Sequence, residues 1–331
     1  MRGRLRLVAA LVVAAMVAPG TWLRTPITKE NPKSIALERI AGAAETGAPG
    51  WQIEGVWHYS TAPTLRFGGF SGLMPVGGGR LRAFSDRGFL FTFVEPDRQE
   101  EAPDQRLIAG LPLSDPSLYP RLWDIESVTR DPAPRGDYWV GFENTHAIHR
   151  FSYRTEPEKV RLIRDEVDWY DNGGLEAMER LSDGRFLIIP ERRDEALILD
   201  GDPVEDWSPQ PIAFESLADG FAVTDLAQLP DGRVLFLMRG VEWTNYPPFA
   251  GLLAISDPPE AGSVEPLAPE VLFRFEGVLP PENYEGLAVR EQEDGTVAIW
   301  IISDDNLAAM QRTLLVKLTY DASGRPQAAK R

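Results

Sequence analysis

Acidic residues recur in this sequence at intervals that suggest a built site. Glu126, Glu176 and Glu285 each stand two positions ahead of an apolar residue, and Ser71 and Thr224 hold the same place in two further segments. A second polar set, Asp86, Glu143, Glu191, Arg239 and Asp304, follows 15 to 19 positions later, with Arg87, Asn144, Arg192 and Asp305 beside its members. Carboxylates gathered at one place must hold protons, pair with arginine, or bind a hard cation through oxygen. Glu126, Glu176, Glu285, Glu143, Glu191, Arg87, Arg192 and Arg239 are therefore the candidate catalytic residues. The acids would activate water and the arginines would stabilise developing negative charge. Glu126, Glu176, Glu285, Asp86 and Asp304 are the candidate cation ligands, with calcium the expected ion. Each acid also has a plain structural reading, as a cap for loop amides in a watered channel.

These residues meet only if the segments carrying them are arranged about one axis. Five segments share a grammar of polar residue, turn, apolar strand and second polar cluster: 68–93, 123–153, 172–199, 223–243 and 283–306. Their first polar residues are 55, 50, 48 and 61 positions apart, close to the length of a four-stranded propeller blade. Asp183-Gly184, Asp231-Gly232, Asp294-Gly295 and the run Gly77-Gly78-Gly79 supply the backbone freedom that tight hairpins need. Two antiparallel strands joined by such a turn bring the start of one beside the end of the other, so the two polar sets converge. Further strands are expected over 147–153, 160–167, 196–199, 211–214, 251–256 and 271–275. The last repeat offers only 287–289, 297–302 and 313–320, and Trp51 to Tyr59 would supply its missing strand. The expectation is an all-β chain, a five-bladed β-propeller closed by an N-terminal strand, or six blades if residues 34–65 form their own.

Composition agrees and excludes several functions. The 331 residues are 43% hydrophobic, with 29 glycines and 28 prolines spread among short apolar runs, which suits strands and turns. A formal charge of -16 repels phosphate backbones, so nucleic acid is an unsuitable partner and cations are natural guests. No cysteine is present, which rules out disulfides and thiolate chemistry, and the three histidines are too few for a nitrogen-rich zinc site. His146 and His149 point to opposite faces if they lie on one strand. Ser71 lies in Gly-Phe-Ser-Gly-Leu, which lacks the nucleophile elbow of serine hydrolases. The tryptophans at 51, 57, 123, 139, 169, 207, 243 and 300 read mainly as blade core, while Tyr170, Trp243 and Tyr246 fall in loops that could face a ligand.

The N-terminus differs in kind. Arg2, Arg4 and Arg6 precede an apolar run from Leu7 to Ala18, the pattern of an export signal that is either cleaved or kept as an anchor. The expected organisation is signal or anchor over 1–24, linker over 25–50, propeller over 51–320 and a polar tail over 321–331. The expected location is the periplasm, free or attached to the inner membrane.

The segments FGGFSGL (67–73), WDIES (123–127), GGLEAM (173–178), NYEGLAV (283–289) and SDDN (303–306) resemble the phytase-like family, the domain described as the esterase-like activity of phytase. The resemblance runs from about residue 51 to 320. It implies a hydrolase of phosphate esters or phosphodiesters, acting on a small anionic ester through a bound cation, with the recurring acids at its site. Thr224 departs from the acidic pattern, although Asp225 is adjacent. Two other readings stand beside it: a non-catalytic propeller scaffold binding a cation or partner in the cell envelope, and a calcium-dependent lactone hydrolase. Residues 1–20 fused to a reporter should carry it across the inner membrane; cytoplasmic accumulation of the reporter would refute the export reading.

Overall fold

The computed structural model describes residues 27–98, 108–113, 124–170, 173–191, 194–215, 217 and 220–322. Trp123, Arg192, the signal-like segment 1–24 and most of the tail lie outside the described residues. Among the described residues there is no α-helix, only short 3-10 turns such as Pro96–Arg98, and no helix is long and apolar enough to cross a membrane.

The chain begins with β1 (Ala36–Ala41), β2 (Ala44–Glu45) and β3 (Trp51–Ser60). Four antiparallel blades follow. Blade one is β4 (Phe70–Pro75), β5 (Arg80–Ser85), β6 (Phe89–Val94) and β7 (Ile108–Gly110); blade two is β8 (Ile125–Arg130), β9 (Tyr138–Phe142), β10 (Ala147–Phe151) and β11 (Pro157–Leu162). Blade three is β12 (Ala177–Arg180), β13 (Phe186–Ile189), β14 (Glu195–Leu199) and β15 (Gln210–Ala213); blade four is β16 (Phe221–Gln228), β17 (Val234–Val241), β18 (Phe249–Ser256) and β19 (Glu270–Arg274). Blade five runs outward from β20 (Asn283–Glu291) through β21 (Val297–Asp304) and β22 (Thr313–Tyr320) to β3 and then β1. The propeller therefore has five blades. Residues 34–65 do not make a sixth, because β1 and β2 both pair with β3 and only widen blade five.

One predicted strand is displaced. The expected strand over 160–167 is realised as β11 at Pro157–Leu162, because Ile163 turns inward, buried, with its N–H donating to His146 O at 2.8 Å. A 3-10 turn, Arg164–Glu166, then ends the extension.

Packing lies mainly between blades. Phe84, Val128, Tyr138, Phe142 and Phe151 fill the space between blades one and two, and Met178, Phe186, Ile188 and Trp139 join blades two and three. Closure rests on the register of β22 against β3, from Thr313 opposite Tyr59 to Tyr320 opposite Trp51. Polar contacts tie this closing blade to blade one. Arg290 of β20 grips the buried Glu95 with Nε at 2.8 Å and Nη2 at 2.7 Å, and Lys317 of β22 reaches Asp97 at 2.5 Å. Asp305 accepts the Gly69 N–H at 3.1 Å and the Thr313 hydroxyl at 3.0 Å, tying blade five to the entry of blade one.

β3 buries Trp51, Ile53, Val56, Trp57 and Tyr59, each worth about 1.5–3 kcal/mol when removed from water. A chain lacking residues 27–60 should lose well over about 5 kcal/mol and melt at least about 10 °C lower, at roughly 2 °C per kcal/mol. Cooperative melting at an unchanged temperature in calorimetry would refute closure by β3.

Candidate functional site

The first polar set falls where the inner strands bulge. The β4–β5 ladder skips Ser71, β8–β9 skips Glu126, β16–β17 skips Thr224 and β20–β21 skips Glu285. Glu176 stands at the matching place, immediately before β12. A bulge leaves one residue out of the ladder and re-aims its side chain, and here the carboxylates of Glu126, Glu176 and Glu285 come close enough to repel one another. Glycine follows the bulge in two blades. A Cβ on Gly286 would lie 3.0 Å from the Gly72 carbonyl carbon, so the absence of side chains there lets two inner strands approach.

The second polar set lies across the hairpin, opposite the residue two places ahead of the first. Asp86 N–H donates to Gly69 O at 2.8 Å, Glu143 N–H to Asp124 O at 2.9 Å and Glu191 N–H to Gly174 O at 3.1 Å. Arg239 pairs in register with Ala222, and Asp304 with Asn283. The five repeats thus place ten positions at one mouth of the channel, as their spacing predicted.

The ring is not uniform in charge. On blades four, five and one, arginines hold the acids. Arg239 donates to Glu285 and, at 2.5 Å, to Asn283 Oδ1, while Asn283 Nδ2 donates to Glu285 at 2.7 Å. Arg87 pairs with Asp86 at 3.0 Å and spends its remaining donors on the carbonyls of Leu65 and Gly68. The buried Asp304 accepts from Asn306 N–H at 2.6 Å. On blades two and three the picture is different. Asp124, Glu126 and Glu143 form one group, and Glu143, Glu176 and Glu191 another; in each, one oxygen per residue lies within 4.8 Å of the others. Asn144 donates to Asp124 at 2.5 Å, but no described residue forms a hydrogen bond or ion pair with the carboxylates of Glu126 or Glu176. Glu176 is only 7% exposed.

Burial first, and then neighbouring charges, push these acids up. Glu126 and Glu176 are held well above the usual carboxylate range, the second despite the attraction of Arg239. Glu143 rises to about 7 through burial and Asp124. Glu285, Asp86 and Asp304 are raised mainly by burial. The residues present fit a hard divalent cation, because each group gathers oxygen donors at the size of one coordination sphere and, among the described residues, none pairs the carboxylates of Glu126 and Glu176.

The other mouth provides a contrast. A cavity of about 530 Å³ is lined there by the far ends of all five inner strands, including Arg130, Glu179, Arg180, Gln228 and Arg290. Its polar groups satisfy one another. Glu179 accepts from the Thr129 hydroxyl and Gln228 N–H, both at 2.8 Å, Arg130 donates to the carbonyls of Pro75 and Asp131, and Arg180 meets Asp131. That mouth is a set of struts between blades.

Two residues of this mouth escaped the sequence reading, Asp124 and Asn283. Both stand two residues ahead of a first-set acid, and that offset on an inner strand was the available signal. Thr224 and Asp225 instead tie blade four to blade five: the Thr224 hydroxyl donates to Tyr284 O at 3.1 Å and Asp225 accepts Leu287 N–H at 2.6 Å. His146 sits in a turn edge-on to Trp169, and His149 is buried in the blade against Phe151, so they share no site. Trp243 and Tyr246 are 84% and 71% exposed, on the β17–β18 loop that continues from Arg239, and Tyr246 touches Met310 of the β21–β22 loop.

Fold and site together define a five-bladed propeller with an acidic, arginine-braced mouth, an arrangement that fits a hydrolase-type enzyme. The family model described as Phytase-like, esterase-like activity of phytase, matches residues 65–307, and the chain belongs to that family. No curated protein matches the chain. Among solved structures it is similar to a luciferin-regenerating enzyme, at 10% identity and a TM-score of 0.45 over 86% of this chain and 95% of the other. It is also similar to YCF48 bound to D1 peptide, at 16% identity and a TM-score of 0.39 over 90% and 81%.

A carboxylate raised in the folded state stabilises the fold below its unfolded value, near 4.5 for Glu, and that stability is lost as pH rises through the folded value, about 7 for Glu143. His149, lowered to about 4 by burial, acts oppositely, costing stability as pH falls from 6.5 toward 4. Several raised acids outweigh the one histidine, so chelator-treated protein should melt higher at pH 6 than at pH 8, and Glu176→Gln should flatten that fall. A melting temperature that rises from pH 6 to pH 8 in the absence of metal would contradict this.

Proposed function

We propose that the chain is an exported, cation-assisted hydrolase of phosphate esters or phosphodiesters, acting at the acidic mouth. The observation that carries the reading is the division of the ring: on blades two and three the carboxylates of Glu126 and Glu176, which no described residue pairs, and across from them a carboxylate-held arginine, Arg239. Asp124, Glu126, Glu143, Glu176 and Glu191 would hold the cation, and calcium is one candidate. When bound, such an ion supplies positive charge to a phosphoryl oxygen and lowers the pKa of water. Arg239, its guanidinium fixed by Glu285 and Asn283, would bind and orient the anionic ester and stabilise charge that develops on it. Asp86, Arg87 and Asp304 would hold the neighbouring wall of the mouth. The family resemblance supports the same reaction class, and Arg192 lies beside Glu191 in sequence. The N-terminal pattern supports export to the periplasm, free or anchored.

The exposed Trp243 and Tyr246 favour a second reading, a binding propeller that takes an organic or protein partner at this rim. Turnover separates the two. Purified protein should hydrolyse p-nitrophenyl phosphate or bis(p-nitrophenyl) phosphate with calcium, magnesium or manganese, and chelator should abolish the activity. Arg239→Lys should lower kcat about 10²-fold, the scale of one lost electrostatic donor, while Glu215→Gln, on an exposed residue away from the mouth, should not change it. Absence of turnover on both esters with every cation favours the binding reading, and turnover of a lactone alone would replace the ester substrate.

A further inference from the structure

We propose that the acidic-mouth face of the propeller rests against a lipid bilayer, held there by the N-terminal segment kept as an anchor. This rests on the anchored form of the export reading above, and not on turnover. The first described residues leave the domain at this face. Thr28 bridges Thr64, its N–H donating to Pro63 O at 3.3 Å and its carbonyl accepting Leu65 N–H at 2.9 Å. The Leu65 carbonyl accepts Arg87 Nε at 3.0 Å, and Arg87 pairs with Asp86 of the ring. Upstream, Leu7 to Leu23 gives 17 residues without a charge, the lower limit for a span, behind Arg2, Arg4 and Arg6, which favour a cytoplasmic N-terminus. Only five residues then lead from Leu23 to Thr28, a reach of about 18 Å at full extension. The ring is taller than that, since the nine residues of β20 alone run about 30 Å. A tether so short cannot set the other mouth on the bilayer.

The side chains on that face suit the interface. Among the described residues, the large apolar side chains left exposed gather at this end, as Leu162, Tyr170, Val241, Trp243, Tyr246 and Met310, against Tyr153, Val264 and Val271 elsewhere. They come from blades two, four and five, so they surround the mouth. Tryptophan and tyrosine are the residues that settle at a membrane–water boundary, where the ring is buried and the polar atom stays wet. The β17–β18 loop holds its pair outward on a fixed hairpin. Glu242 accepts the Thr244 N–H at 3.0 Å and its hydroxyl at 2.7 Å, and the Asn245 side chain donates to Phe249 O at 2.7 Å. A loop ordered in advance loses little freedom on docking. The formal charge of -16 opposes adsorption on anionic lipid. The tether offsets that repulsion, because it makes contact with the bilayer an intramolecular event at high effective concentration. The mouth then opens onto the headgroup layer.

Because the chain has no native cysteine, one position at a time can carry a label. The full chain, expressed in a bacterial host and placed in phosphatidylcholine nanodiscs, receives a nitroxide at Thr244→Cys on the rim or at Glu293→Cys in the β20–β21 turn of the opposite mouth; both residues are exposed. Electron paramagnetic resonance then reads collisions with an aqueous nickel complex and with oxygen. The label at 244 should lose most of its nickel collisions and gain oxygen collisions, while the label at 293 stays open to nickel. Adding Trp243→Ala and Tyr246→Ala should return the label at 244 to water with the chain still in the nanodisc, and thermal melts check that the variants fold. Equal nickel collisions at 244 and 293, in a chain that co-elutes with the nanodisc, overturn the docking and leave the anchor. Protection that survives the double substitution overturns the part given to Trp243 and Tyr246. A chain that starts beyond residue 18 when its N-terminus is sequenced, or that fails to co-elute, overturns the tether and the inference with it. Hydrolysis of a soluble ester, assayed separately, decides the hydrolase reading in every case.

Discussion

The seam between β22 and β3 is the constraint on which the site depends. Acids as far apart as Asp86 and Asp304, 218 positions, meet only because the ring is shut, and it is shut by a strand from the other end of the chain. Polar contacts from the closing blade to blade one reach toward the axis. Asp305 holds Gly69, Gly69 receives Asp86, and the Asp86 carbonyl in turn receives the Asp124 N–H at 2.8 Å. A displacement at the closure would therefore pass through blade one to the entry of blade two, where the unpartnered carboxylates begin. Because the polar links are local and short, the apolar packing between blades can be uniform while the mouth is individually adjusted.

The second constraint is electrostatic. Gathering these carboxylates costs free energy in the metal-free protein, and the fold accepts that cost at one mouth only. At the other mouth, Glu179 is half-buried and also raised to about 7, yet both its oxygens receive hydrogen bonds and it joins three blades. Identical chemistry thus serves as a strut where it is partnered and as a candidate ligand where it is not. Partnering, more than burial or charge, distinguishes the two ends of the channel, and it is a property of geometry that composition does not contain.

This distinction explains what could be read from the sequence. The repeat period, the Asp-Gly turns and the short last repeat yield five blades and their closure, because strand alternation and turn chemistry are local signals. The alignment of Ser71, Glu126, Glu176, Thr224 and Glu285 likewise yields one mouth, since the same offset in each blade leads to the same height on the axis. The bulges were not legible, because an unpaired residue in an inner strand has no compositional mark. Nor was the division of the ring. Glu285 and Glu126 occupy equivalent places and carry the same chemistry, yet one is held by Arg239 and Asn283 and the other by nothing described. Asp124 was hidden by a backbone at φ 76°, which alternation along a strand does not anticipate.

Departures from the repeat then become the informative residues. A ring with an acid at every first position would have its deepest potential on the axis and would offer a ligand no preferred orientation. Blade four breaks that pattern twice, with Thr224 in place of the inner acid and Arg239 in place of the outer one, and blade one breaks it once, with Ser71. Thr224 uses its hydroxyl to brace Tyr284 O, next to Glu285, so the loss of charge there is also a gain in rigidity for the residue that holds Arg239. The negative potential is consequently displaced off the axis toward blades two and three, with the positive group on the far wall. Such a gradient across the mouth can orient a cation and an anionic ester relative to one another, which a symmetric ring cannot do.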